Sequence, residues 1–442
     1  RRQRQMCIRD RLKISQQKKD VLEVKQATYN VPAEGMSIQI EFATNLQEGI
    51  SKIRYSQDVQ DWLIFNDNVS TKILLDKTLN VKVLPNPSRA ERTATFQIVI
   101  EDAAGKQLIE SGTISIIQKG AGVGTSTDLE TDDGKVVKLQ THSKGNGIPV
   151  VFMGDGFLDA DIQSGFYQKV MEKGMEYFFS EEPVKSLREY FDVWMVTAVS
   201  LNDAFGEGYS TKFSCWLEGG KSTLIKGDEK IVQYYTQAVD EIRTNAEMFY
   251  ETMSIVILNT ETYAGTTYFG YGTEDDGVVE YAIGYCPIIG GMESEAFRQV
   301  LCHECIGHGF AKLLDEYSYQ SMGQIPAKEI ESNQILQTFG WAMNVDFTGD
   351  KSQVIWKHFL EDERYAGTDA FGETLSTYEG ACTYWSGAWR PTNESMMRNN
   401  IHGFNTPSRE AIYKRIMRTA YGTPWQYNYE EFVKFDRMHL PQ

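Results

Sequence analysis

The chain has 442 residues, too many for one ordinary domain, and its length suggests roughly two or three. Hydrophobic residues make up 41% and aromatics 12%, enough to bury real cores and to exclude a disordered, solvated polymer. Acidic residues outnumber basic ones 61 to 44, giving a net charge of −17, which argues against nucleic acid as a partner, and no apolar run approaches the ~18 residues of a transmembrane segment.

Residues 1–11, RRQRQMCIRDR, are charged like the start of a signal peptide, but the LKISQQKKD that follows supplies no apolar stretch. Back-translated, they resemble a common sequencing-library adapter. The expectation is therefore that 1–11 are adapter-derived and that the true N-terminus, with any secretion or lipid-anchor signal, is missing. Residues 12–20 echo the ISIIQKG at 114–120 and read as the tail of a preceding copy of the same module.

From 21 to 119, short alternating or apolar runs separated by turn residues predict an all-β, immunoglobulin-like sandwich. The Gly/Thr/Asp-rich stretch at 120–134 reads as a linker. The rhythm then changes. Over 135–442, apolar strands at 148–154, 191–200, 253–259 and 278–289 alternate with helical stretches at 159–190 and 229–249, the pattern of an α/β domain whose mixed sheet is covered on both faces. With Cys7 set aside, five cysteines remain, so at least one thiol is unpaired, and Cys302 and Cys305 read as small buried hydrophobes.

A helix beginning near Glu293 carries His303-Glu304-Cys305-Ile306-Gly307-His308. Two imidazoles and a carboxylate on one helix are what a zinc hydrolase needs: the nitrogens hold the metal and the Glu takes a proton from its bound water. The usual spacing places the two His four apart, about 40° from each other around the helix, whereas five apart gives about 140°. A π-bulge around Cys305–Gly307 removes the discrepancy, and Gly307, without a Cβ, tolerates the distortion and leaves room beside the metal. The competing ligand pair, Glu304 and His308 on an undistorted helix, leaves no base next to the water. A third ligand is required, and Asp315 is preferred to Glu316. Asp155, at the end of a strand, either hydrogen-bonds a zinc ligand or shapes the turn between its glycines. The strand at 278–289 is expected at a sheet edge, where it could pair with an extended peptide and place Tyr285 in the cleft.

GHGFAKLLDEY, the GDGF at 154–157, the FGW at 339–341, the YEGACTYWSGAWRP at 378–391 and the SMMR at 395–398 together resemble the IgA peptidase family of zinc metallopeptidases. The resemblance implies a metzincin-like catalytic domain with a Met-turn at Ser395–Met397, in which Met397 packs beneath the metal. This chain departs from the family in its HExxGH spacing, also seen in an unrelated class of zinc dipeptidyl peptidases, and in having Asn399 where a Tyr is often found. Tyr317 and Tyr384 are the candidates to steady the oxyanion. Trp62-Leu63, the turn at 86–89, Arg92-Thr93-Ala94 and the terminal Ile-Ile-Gln resemble the BACON domain, which implies a spacer or a glycan- or mucin-contacting module; Trp62 itself reads as core.

The resulting expectation is a secreted or surface-attached zinc endopeptidase acting on proteins or glycoproteins, with His303, His308 and Asp315 as ligands and Glu304 as base. The alternative is a catalytically silent adhesion or glycan-binding protein whose metal is structural or absent.

Overall fold

The computed structural model describes residues 20–440 apart from 47–49, 56–61, 67–75, 87–90, 121, 207, 209, 221 and 271–278. The expectations for residues 1–19, and for most of the turn at 86–89, lie outside the described residues. Two compact units divide the chain, one ending at Val123 and the other beginning at Gly124.

In the first unit, alternation dictates the strands. Met36–Thr44 buries Ile38, Ile40 and Phe42 and turns the residues between them outward, the period of a sheet with one covered face. It pairs antiparallel with Leu22–Val24 and Asp76–Val83, and Leu63–Asn66 completes a four-stranded sheet. A second sheet is built on Arg92–Glu101, which pairs antiparallel with Ile50–Tyr55, Gln107–Glu110 and Ile114–Gln118; the last carries Thr28–Val31 in parallel. Ile40, Phe42, Leu79 and Val81 meet Phe96, Ile98, Ile114 and Ile116 in one core. Trp62 belongs to that core, with the Arg92 guanidinium 4.3 Å from its ring centroid, so it offers no open platform for a sugar.

The second unit is organised by a six-stranded sheet in the order Val136–Gln140, Phe191–Val196, Ile148–Asp155, Met253–Leu258, Ala282–Pro287, Thr266–Phe269. The three inner pairings are parallel and the two outer ones antiparallel, which makes the sheet mixed. Ile148–Asp155 is buried along its whole length because both faces are covered: Val150 and Phe152 enter one apolar cluster, Val151 and Met153 the other. Helices Phe166–Phe178, Glu295–Leu301 and Thr406–Tyr421 contribute to the first cluster, which therefore supports the site described below. A small sheet of Ser318–Gln324, Thr383–Arg390 and Tyr378–Ala381 follows that site in sequence.

Three expectations are corrected here. The helical stretches are broken: Gly165, at φ +77°, separates Asp159–Gln163 from Phe166–Phe178, and 229–249 forms three short helices, two of them begun by side-chain caps from Asp228 and Asn245. Residues 124–134 are no free linker, because their polar groups are stitched to the second unit. Asp159 accepts from the amides of Thr127 and Asp128, Ser126 donates to the Ser200 carbonyl, and Asp133 accepts from the Val199 amide and Lys212. Finally, Ala282–Pro287 is an interior strand; the edge beside it is Thr266–Phe269, and Tyr285 is fully buried rather than in a cleft.

Candidate metal site

Ser294 starts the helix by accepting from the Ala296 amide, and Phe297, Val300 and Leu301 pack into the interior. From Cys302 to Phe310 the helix is a π-helix, nine residues long rather than a single bulge. The widened turn is what a five-residue spacing needs, because i→i+5 hydrogen bonding brings the two imidazoles back to one side. The Nε2 atoms of His303 and His308 stand 3.0 Å apart.

Glycines allow this helix to lie close against its neighbours. A Cβ on Gly307 would come within 2.2 Å of Met397 Sδ, and one on Gly309 within 2.5 Å of Met253. The space at Gly307 is thus occupied by Met397 and is not room beside the metal. Gly307→Ala is expected to destabilise the fold by about 1–3 kcal/mol through overpacking, read as a lower denaturation midpoint; an unchanged midpoint would mean that Met397 can shift freely.

Lys312, at φ +54°, turns the chain out of the helix, and its ammonium is buried against the Glu280 carbonyl and the rings of Phe269 and Trp341; burial pushes its pKa down to about 7. Three residues later, Asp315 Oδ1 lies 3.2 Å from His303 Nε2 and 3.1 Å from His308 Nε2. His303, His308 and Asp315 form the group among the described residues whose donor atoms could hold a metal ion. Each imidazole is fixed from behind, His303 Nδ1 by the Met396 carbonyl at 2.9 Å and His308 Nδ1 by the Leu313 carbonyl at 2.7 Å. A carbonyl only accepts, so each Nδ1 carries a proton, which leaves Nε2 as the atom that can give a lone pair to a metal.

Three such atoms facing one another at this range repel unless a proton or a metal cation lies among them. Tetrahedral zinc with bonds of about 2.0–2.1 Å separates its ligand atoms by roughly 3.3 Å, so the donor set fits such an ion in chemistry and spacing. Without a metal, a proton takes the cation's place: burial opposes charge on His308, yet Asp315 raises its pKa to about 9; burial likewise raises Asp315, but the imidazoles hold it well below the usual carboxylate range. A metal ion entering the cluster displaces that proton.

Glu304 stands apart from this cluster. Thr267 Oγ1, on the edge strand, lies 2.9 Å from its carbonyl oxygen and 3.0 Å from its Oε2. Glu316 points into the interior, where Oε1 accepts from Asn344 and Asn405 and Oε2 from Ser395 and Asn405, so its oxygens are committed elsewhere and it is not the third member of the cluster. Met397 is fully buried, and its carbonyl accepts from the Glu316 amide, which ties the segment beneath the helix to the segment carrying Asp315. Burial and the neighbouring Asp315 carboxylate push the Tyr317 pKa up. Tyr384 instead packs beside Ile325, Val345 and Ala388. The Asp155 carboxylate accepts from Thr211, Phe213 and Cys215, shaping that loop rather than supporting a ligand. Cys302 and Cys305 are fully buried, and Cys305 Sγ faces Cys286 Sγ at 3.5 Å, away from any ligand role. Sequence reasoning missed Thr267, Asn344 and Asn405. For Asn405 a signal existed: Asn before Thr-Pro-Ser is a helix start, and it caps Thr406–Tyr421.

Two histidines from one π-helix and an aspartate from the segment after it converge on one point, with a glutamate on the same helix, which is the kind of donor set that a metal-dependent hydrolase requires. The chain belongs to the IgA Peptidase M64 family, which it matches over residues 137–368, more than half of its 442 residues. It is therefore a peptidase, of a family whose members are metallopeptidases. No curated protein matches the chain. Among solved structures, similarity is found to WR4, a C. elegans MSP family member, at 20% identity over 23% of this chain and 97% of that one, with a TM-score of 0.17. The PapD-like domain 7 of human CEP192 is 8% identical over 26% of this chain and 97% of that one, with a TM-score of 0.18, and murine CRIg 14% over 24% and 100%, with a TM-score of 0.17. Likeness at this level carries no argument.

Proposed function

We propose that the chain is a zinc-dependent endopeptidase with a metzincin-like catalytic domain, acting outside the cell or at its surface on protein substrates, host glycoproteins among them. The convergence of His303 Nε2, His308 Nε2 and Asp315 Oδ1, with Glu304 next to His303 but outside the donor set, carries this reading. Two imidazoles and one carboxylate are a hydrolytic zinc set that leaves a position open. When bound, zinc supplies Lewis acidity that lowers the pKa of water and polarises the scissile carbonyl. Glu304 accepts the water proton and delivers it to the leaving amine. Tyr317, next to Asp315, is the donor for the carbonyl oxygen as charge develops there. Met397 packs against Gly307 and keeps the helix at a fixed height. The extracellular placement and a possible glycan-contacting role for the first unit rest on the resemblance of residues 21–119 to BACON modules.

Elemental analysis of the purified chain should find zinc, and a chelator should stop cleavage of a denatured protein mixture until zinc is returned. Cleavage that survives complete metal removal would contradict the proposal. Bound zinc with no cleavage of any protein would favour the silent adhesion reading. Mass-spectrometric mapping of cut sites in secretory glycoproteins then defines specificity.

A further inference from the structure

The rim strand Thr266–Phe269, together with Gly265 before it, packs closely against the π-helix at Glu304. Gly265 and Thr267 lie two residues apart and so share a face of the extended chain. A Cβ on Gly265 would come within 2.7 Å of Val300 Cγ1, 2.8 Å of Glu304 Oε1 and 3.0 Å of Glu304 Cγ, so glycine there makes room for the helix and for the carboxylate. Thr267 stands opposite Gly284 in register, and a Cβ on Gly284 would come within 2.8 Å of Cys305 Sγ. That second glycine lets the π-helix approach the sheet closely enough for the Thr267 hydroxyl to reach both the carbonyl oxygen and Oε2 of Glu304, at 2.9 and 3.0 Å. The one hydroxyl proton is thus shared between the main-chain carbonyl and the carboxylate of the same residue.

We infer that Thr267 is the positioning residue of Glu304, its hydroxyl fixing Oε2 so that Oε1 is left as the proton acceptor. The inference rests on the peptidase reading above. Glutamate has three side-chain torsions, and a base that wanders by an ångström loses much of its rate advantage. A threonine hydroxyl anchored on a strand restricts those torsions without adding charge, and its hydrogen bonds go to Glu304 rather than to the metal ligands.

The test uses Thr267→Val, which keeps the shape and removes the hydroxyl, and Thr267→Ser, which keeps the hydroxyl. Thr267→Val should lower kcat about 10- to 100-fold with KM within about twofold, while zinc content and melting temperature stay at the parent values. Thr267→Ser should restore kcat to within about threefold of the parent. Full kcat in the valine variant overturns the inference, as does a serine variant as slow as the valine one. Loss of zinc or of thermal stability in Thr267→Val also overturns it, since the residue would then be merely structural. Glu304→Gln separates the two levels: if it is inactive while Thr267→Val is fully active, only the positioning role falls; if it is active, the assignment of the base falls.

Discussion

Glu304→Gln is expected to remove about 10²- to 10⁴-fold of kcat/KM while leaving zinc content and thermal stability at the parent values. The size follows from the role: a positioned carboxylate takes the proton from water as the carbonyl is attacked, and an amide of the same shape cannot. Retention of metal follows from the geometry, because the three converging atoms belong to His303, His308 and Asp315 and none to Glu304. The fold is expected to survive because the glutamine carbonyl can still accept from Thr267, which now contacts Oε2 at 3.0 Å. The same variant decides against the other ligand pairing, in which Glu304 and His308 hold the ion, since that arrangement predicts loss of zinc on substitution. Peptide-cleavage kinetics and metal analysis on one preparation give both answers, and activity above a tenth of the parent would remove Glu304 as base.

The fold was most legible where burial repeats with a simple period. Ile38, Ile40 and Phe42 alternate with polar residues, and Ile148–Asp155 is apolar almost throughout, so the pattern alone separates a one-sided from a two-sided sheet. Composition failed at 124–134. Thr, Asp and Gly are the residues of flexible linkers and equally of tight, hydrogen-bonded loops, and only the partners Asp159, Ser200 and Val199 show which applies. The edge position of Ala282–Pro287 failed for a topological reason. The strand that covers it, Thr266–Phe269, precedes it in sequence and is only four residues long.

At the site, the awkward His303–His308 spacing became informative once a π-helix was considered, although one inserted residue understated a nine-residue element. Thr267 was not legible, because a threonine 37 positions before Glu304 carries no motif and reaches it only through the sheet edge. The neighbouring carboxylates Asp315 and Glu316 could be ranked but not placed. Asp315 meets the imidazoles, while Glu316 beside it faces the opposite way, into the interior.

That buried carboxylate leads to the second large expected effect: Glu316→Ala should destabilise the catalytic unit by roughly 3–5 kcal/mol and weaken zinc retention, although Glu316 touches no ligand atom. Its two oxygens accept from Asn344 at 2.9 Å, from Ser395 at 2.7 Å and twice from Asn405 at 2.9 Å. Burial raises its pKa and these donors oppose the rise, so the carboxylate is tolerated only because the surrounding groups are arranged for it. Removing it strands several buried donors, each costing about 1–3 kcal/mol, in addition to the cavity left behind. The effect should reach the metal because the same network joins the chain just after Asp315 to Ser395, next to the Met396 carbonyl that fixes His303 and to the Met397 that packs under Gly307. Glu316→Gln presents an amide group to donors and should fall between alanine and the parent. Denaturation midpoints together with zinc retained after dialysis check the prediction. If Glu316→Ala were as stable as the parent, the network would not be what holds the Met397 segment in place.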